Sequence, residues 1–339
     1  MLVLLCVMVF CIKIIHLSFS HMIKQVSYLV GAMSLLGILQ FSSCANGGGS
    51  GKELDTPSKG EIKISVDANY EPIIDSELQV FHAQRPAAKI IPRYAPEADI
   101  VNDLLLDSAR LIIASRLLTA AELDTFEKLK SPPKVVHLAT DAIAFIVHPS
   151  SSDSTLTMSE LRDVLNGKIN KWQQLNPKSK QGVITLVFDN EKSSTVRYVM
   201  DSLCQGATLP SNAFATKTNE ETIKYVSENP NAIGIIGVNW ISDTTDPKTQ
   251  AFNRKIRAVA LAKKIGMDYY KPYQAYIATG DYPITRKMYS ISREMRSGLG
   301  TGLSAYLAAE KGQRIILKSG LVPSTMPLRI VSISSDPIE

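Results

Sequence analysis

Residues 189–195 read Asp-Asn-Glu-Lys-Ser-Ser-Thr, a polar knot that ends in three consecutive hydroxyl side chains, Ser193, Ser194 and Thr195. An apolar run, Thr185 to Phe188, precedes it; Val196, Val199, Met200 and Leu203 follow at helical spacing. The segment therefore reads as strand, loop, helix. A helix start leaves four backbone N–H groups without partners and carries partial positive charge. Hydroxyls placed there add donors, and the chemistry is that of a small-anion site needing no cofactor. One hydroxyl is enough for an N-cap, and three exceed that need. A hydrolytic use of Asp189 with Ser193 or Ser194 would require a base, and His82, His137 and His148 are all distant in sequence.

Two other turns follow the same logic. After the strand pattern at 61–67 come Ala68, Asn69 and Tyr70, and after the short apolar run at 110–114 come Ser115 and Arg116. Ligands of α/β sheets sit off the carboxyl ends of strands. Ser115 could donate through its hydroxyl, and Arg116 could present a charge-assisted fork to a tetrahedral oxyanion. Each has a simpler local role as well: Asn69 as a turn residue, Tyr70 as a packed ring, Arg116 as a surface ion pair.

These loops need a scaffold. From Glu61 the chain alternates strand and helix: strands at 61–67, 88–95, 110–116, 134–149, 182–189, 232–238, 256–262 and 282–293, with helices at 72–84, 97–109, 119–130, 157–169, 219–230 and 302–321 between or after them. Such alternation implies α/β architecture with mainly parallel sheets flanked by helices. The runs DAIAFIVHP and YPITRKMYSI read as crossing strands. Their pairing would make the intervening chain an inserted second lobe, with two hinge crossings and a binding cleft between lobes.

Bulk properties exclude several functions. The chain has 339 residues, 45% hydrophobic and 20% charged, with formal charge +5. Residues 1–43 hold Lys13 and Lys24 and no acid, so the remainder carries 35 basic against 32 acidic residues. That scattered balance is no nucleic-acid footprint. Of four cysteines only Cys204 lies beyond residue 44, so no disulfide within the body and no zinc site is expected.

Lys24, the apolar stretch 26–41 and Ser42-Ser43 before Cys44 form a secretory signal. It resembles a bacterial lipoprotein signal, which implies lipidation of Cys44 and an extracytoplasmic, periplasmic, membrane-anchored protein. Residues 1–43 are thus expected to be a signal segment whose true start is Met22, and 44–59 a flexible Gly/Ser tether.

With these residues in place the chain resembles the phosphate-binding proteins of bacterial phosphate ABC transporters, two-lobed periplasmic binding proteins of type II. IKISVDANYEP, RLIIASRLLTAAEL, LTMSELRDVLNGKINKWQQL, DNEKSSTVRYVMDSL, NPNAIGIIGV, YPITRKMY and EKGQRIILKSGLVP carry the likeness in order. The resemblance implies lobe one at 60–145 plus 285–339, lobe two at 146–284, inorganic phosphate or a similar oxyanion as ligand, and an ABC permease as partner. It implies no enzyme activity, no metal and no cofactor. Carried over residue by residue, the ligand set is Ala68, Asn69, Tyr70, Ser115, Arg116, Ser193, Ser194 and Thr195. The family's ligand aspartate falls at Arg116, its loop arginine at Asp189, its loop glycines at Lys192 and Ser194, and its first-loop hydroxyls near Asp67, Ala68 and Asn69. In the family that aspartate accepts the proton of hydrogen phosphate, and Asp67 or Asp189 could take the acceptor role. A fold retained with degraded ligand affinity, serving as a sensing or surface protein, is the other reading of these departures.

Overall fold

The computed structural model describes residues 54–206 and 208–325. The signal segment, Cys44 and most of the tether lie outside the described residues. The strands are β1 (Gly60–Asp67), β2 (Ala88–Ala95), β3 (Leu111–Ala114), β4 (Lys134–Val147), β5 (Thr155–Thr157), β6 (Thr185–Phe188), β7 (Ala213–Ala215), β8 (Ala232–Gly237), β9 (Arg257–Ala258), β10 (Ala260–Ala262), β11 (Thr285–Ser292) and β12 (Val322–Pro323). The helices are α1 (Glu71–Gln84), α2 (Glu97–Leu105), α3 (Ala120–Lys128), α4 (Met158–Leu165), α5 (Trp172–Leu175), α6 (Ser194–Tyr198), α7 (Asn219–Glu228), α8 (Asn239–Ser242), α9 (Pro247–Asn253), α10 (Gln274–Thr279), α11 (Leu299–Ala308) and α12 (Glu310–Lys318).

The α/β alternation holds, and the sheet is mixed. Its strand order is β2-β1-β3-β11-β4-β8-β6-β7. β1 runs parallel to β2 and β3, and β6 parallel to β7 and β8, while β11 and β4 are antiparallel to their neighbours. β4 joins the two halves. Its residues from Lys134 to Ala142 pair with β11, and those from Ile143 to Val147 pair with β8. The two segments that read as crossing strands therefore do meet, with Thr285 opposite Ala142 and Arg286 opposite Asp141. Leu138, Ala139 and every residue from Ala142 to Val147 are fully buried, the mark of a strand covered on both faces. Pro92 is tolerated because β2 is the edge strand.

Four expectations shift. Residues 302–321 do not form one helix: Ala309 is extended, at φ −82° and ψ 168°, and separates α11 from α12. Gly312 packs so closely on Tyr306 and Leu307 that a Cβ would lie 2.6 Å from the Tyr306 carbonyl oxygen, and Gln313 Nε2 donates to the freed Leu307 carbonyl at 2.8 Å. The single strand expected at 256–262 is two: β9 pairs with β4, and β10 with β5. The helix after Ser193 is one α turn that runs into a π-helical turn at Val199–Leu203. The tether also ends before Lys59. Asp55 is buried, bonds the Arg110 and Arg296 guanidiniums, and accepts the Leu299 N–H at 2.7 Å. Burial would raise its carboxyl pKa, but those donors outweigh it and hold it at about 2.

Candidate functional site

The loop after β1 meets the loop after β6 across the sheet. Asp67 accepts the Asn69 N–H at 3.0 Å, closing a 3₁₀ turn that aims the Asn69 carboxamide at the second half of the sheet. There Asn69 Nδ2 donates to Asp189 Oδ2 at 3.2 Å and Ser194 Oγ at 3.1 Å, and also to Asp67 Oδ1 at 3.2 Å. Asn69 Oδ1 accepts the Gly237 N–H at 3.2 Å and the Thr195 hydroxyl at 3.4 Å. Ser193 caps α6, accepting the Val196 N–H, and donates its own hydroxyl to Asp189 at 2.7 Å. Asp67, Asn69, Asp189, Ser193, Ser194 and Thr195 are all buried. Gly237 is required here, because a Cβ would lie 2.7 Å from Asn69 Oδ1 and 3.3 Å from Arg286 Nη2.

Arg286 is the residue that the motifs did not single out. It comes from β11, is buried, and donates Nε to Asp141 Oδ2 at 2.7 Å and Nη1 to Ser194 Oγ at 2.8 Å. The Tyr70 ring packs beneath it, 5.6 Å from the guanidinium carbon. Burial works against the charge of Arg286, while Tyr70, Asp141 and Asp67 raise its pKa, so it stays protonated. Burial pushes the carboxyls of Asp67, Asp141 and Asp189 up, against the opposing pull of Arg286 on each. Three carboxyls face one guanidinium here, and burial favours the protonated form of each.

Several of its polar atoms lack a partner. They are Arg286 Nη2, Asp67 Oδ2, Asn219 Oδ1, Asn239 Oδ1, the Tyr70 hydroxyl and Asp141 Oδ1, six of the twelve such buried side-chain atoms among the described residues. The last two are neighbours without hydrogen-bond geometry between them. Buried polar groups are nearly always paired, so half of the unmet hydrogen-bonding capacity among the described residues is gathered in this one cluster. A cavity of about 160 Å³ opens beside it, lined by Asp67, Ala68, Asp189, Ser193 and Asn219, with Lys217 also on its wall. Asp67, Asp189 and Ser193 reach the cavity wall, whereas Arg286, Ser194 and Thr195 lie behind it, bonded to one another directly or through Asn69.

Ser115 and Arg116 are not in this group. Ser115 Oγ donates to Glu97 Oε1 at 2.7 Å and accepts Arg197 Nη2 at 3.0 Å. Arg116 forks onto Glu122, with Nη1 and Nη2 each 2.8 Å from an Oε. The reason is local. Thr119 and Glu122 form the capping box of α3, which fixes the Glu122 carboxylate within reach of Arg116. Glu97, buried at the start of α2, pairs with Arg197 of α6 and lies 3.6 Å from Arg116 Nε. The histidines sit elsewhere: His82 bonds the Ile90 N–H, His137 the Ala139 carbonyl and His148 Ser150. No group of three or more His, Cys, Asp or Glu fit for a metal occurs among the described residues.

Comparison with known proteins identifies the family. The family model described as "PBP superfamily domain" matches residues 51–311. The chain belongs to the PBP superfamily. The superfamily member described here is 25% identical over 296 residues to the phosphate-binding protein PstS of Bacillus subtilis, covering 84% of this chain and 89% of that protein. It is 25% identical over 232 residues to PstS of Pseudomonas aeruginosa, covering 64% of this chain and 68% of that protein. Its fold is that of an ABC-type phosphate transport receptor from Vibrio cholerae, with a TM-score of 0.59 at 20% identity over 78% of this chain and all of that one. The α/β fold expected from the sequence is thus that of phosphate-binding PBP structures.

Proposed function

We propose that this chain is an extracytoplasmic solute-binding protein that captures inorganic phosphate, or a related tetrahedral oxyanion, and delivers it to an ABC permease. The observation that supports this most is Arg286: a buried guanidinium with one unpartnered nitrogen, at the meeting point of the β1 and β6 loops. The phosphate-binding relatives and the small cavity beside Asp67 and Ser193 point the same way. In this reading the halves of the sheet are two lobes, 60–145 with 285–339 and 146–284, and closure brings Asn69 to Ser194. Lipid on Cys44 anchors the protein to the membrane, and the protein performs no covalent chemistry.

The ligand is held by Arg286, Ser194, Thr195 and the Asn69–Tyr70 turn, with Asp67 or Asp189 accepting its proton. A hydrogen bond to a charged group contributes about 1.5–3 kcal/mol net. Micromolar affinity needs about −8 kcal/mol, so four or five such bonds suffice after desolvation. Sulfate, which has no proton near neutrality, would leave a carboxylate facing an anion. Titration calorimetry of residues 45–339 with phosphate, sulfate and arsenate, at two pH values, tests the reading. Phosphate and arsenate are expected to bind and sulfate to bind at least tenfold more weakly; equal affinity for sulfate removes the acceptor role.

One observation favours the second reading, a sensing or surface protein with weak phosphate affinity. The Asn69 carboxamide oxygen accepts the Gly237 N–H and the Thr195 hydroxyl, donors that an oxyanion would otherwise engage. Under that reading phosphate binds weakly to the native chain, and Asn69→Ala strengthens it.

A further inference from the structure

A second cavity, of about 690 Å³, shares no residue with the Asn69–Arg286 cluster. It lies where the end of α9, the turn before α10 and the end of α12 come together. Arg254, Arg257, Lys271 and Lys318 line it, and no Asp or Glu does. Arg257 donates Nη1 to the Ser151 carbonyl at 2.7 Å, a neutral acceptor that leaves its charge uncompensated. Arg254, Lys271 and Lys318 have no ion pair among the described residues.

Part of this charge has a structural use. Arg254 follows α9 and Lys318 ends α12, where helix carbonyls carry partial negative charge. Each helix end supplies only about half a negative charge, so two offset about one of the four cations. About three positive charges remain facing one concavity. Its volume falls within the roughly 300–1,000 Å³ of small-molecule sites, far more than one phosphate fills. Tyr273 stands at the wall with its ring half exposed and stacked on Tyr276, centroids 6.3 Å apart.

We infer that this cavity binds a compact polyanion carrying two or more phosphoryl groups, an inorganic polyphosphate or the phosphate chain of a nucleotide. Arg254 and Arg257 present guanidinium forks, Lys271 and Lys318 point charges, and phosphoryl oxygens match both. The site is independent of the phosphate reading above and stands or falls separately.

The test is calorimetry of the full chain, in mild detergent, with sodium tripolyphosphate and with ATP, at about 0.15 M salt, where loose surface attraction is screened. Both are expected to bind at one site, in the presence of saturating inorganic phosphate as in its absence. The double variant Arg254→Glu, Lys318→Glu is expected to weaken tripolyphosphate by at least about tenfold, with the orthophosphate titration unchanged and the thermal midpoint lowered only by the lost helix-end contacts. Tighter binding of ATP, abolished by Tyr273→Ala, identifies a nucleotide; equal binding identifies the inorganic chain. No binding of either compound, unchanged affinity in the double variant, or displacement of tripolyphosphate by orthophosphate overturns the inference.

Discussion

Two polar clusters bridge the halves of the sheet, and they are built differently. Around Asn69 and Arg286 every side chain is buried, three carboxyls face one guanidinium, and several atoms have no partner. Around Glu97 and Arg197, a buried carboxylate meets a partly exposed guanidinium, and Ser115 completes both partners. The first cluster is over-supplied with buried polarity for a structural joint; the second has the self-contained satisfaction of a clasp. A ligand site pays in stability for unpaired groups, whereas a clasp gains from closing every bond.

The largest expected effect separates them most sharply. Arg286→Ala leaves Asp141 buried without its ion-pair partner, and breaking a buried pair costs about 3–5 kcal/mol; urea denaturation should show that loss, together with abolished phosphate binding in whatever fraction folds. Arg197→Ala removes a partly exposed partner while Ser115 and Arg116 still face Glu97, so a loss of about 1–2 kcal/mol is expected, with ligand affinity changed by weaker closure rather than by a lost contact. A loss at Arg197 equal to that at Arg286 would erase the distinction between clasp and site.

The pH dependence offers a second handle. Asp67, Asp141 and Asp189 are held above their ordinary carboxyl values by burial. The folded state then keeps protons that the unfolded chain releases above about pH 4, so stability falls as pH rises through the window between those values. Asp55 acts in the opposite sense at the acid end: its carboxyl sits at about 2, so its contribution is present above 3.8 and is lost as pH falls toward 2. Denaturation midpoints should therefore peak in mild acid, and Asp189→Asn should flatten the decline on the alkaline side. The smallest effect belongs to Arg116→Ala. Its fork to Glu122 is a partly exposed pair worth up to about 1 kcal/mol, and phosphate affinity should stay within about twofold; a larger drop in affinity would return Arg116 to the site.

Much of this was legible in the chain before any coordinates. Asp67, Asn69, Asp189 and Ser193–Thr195 stand at strand-to-helix turns, and those turns do converge. Arg116 reads as a ligand candidate because a fork for an oxyanion and a fork for a carboxylate look alike in sequence, although Thr119 and Glu122 three residues apart announce the capping box whose carboxylate it meets. Arg286 does not stand out in the sequence because a lone Arg beside Lys287 in a strand pattern looks like an outward-facing residue. Strand alternation holds the signal: Arg286 shares a face with Met288 and Ser290, all buried, while Lys287 points out. Glu97 gave no signal at all, since a first-turn glutamate is what any helix welcomes.

β4 carries one more implication. It is woven without interruption into both halves of the sheet, hydrogen-bonded to β11 up to Ala142 and to β8 from Ile143. A joint of that kind resists bending and yields by torsion, because rotation about its length keeps both ladders intact while a swing would shear one of them. Any opening of this molecule should therefore resemble the twisting of a ribbon about the 142–143 peptide, and under the proposed solute-binding role stiffening that ribbon would slow entry and exit of the solute.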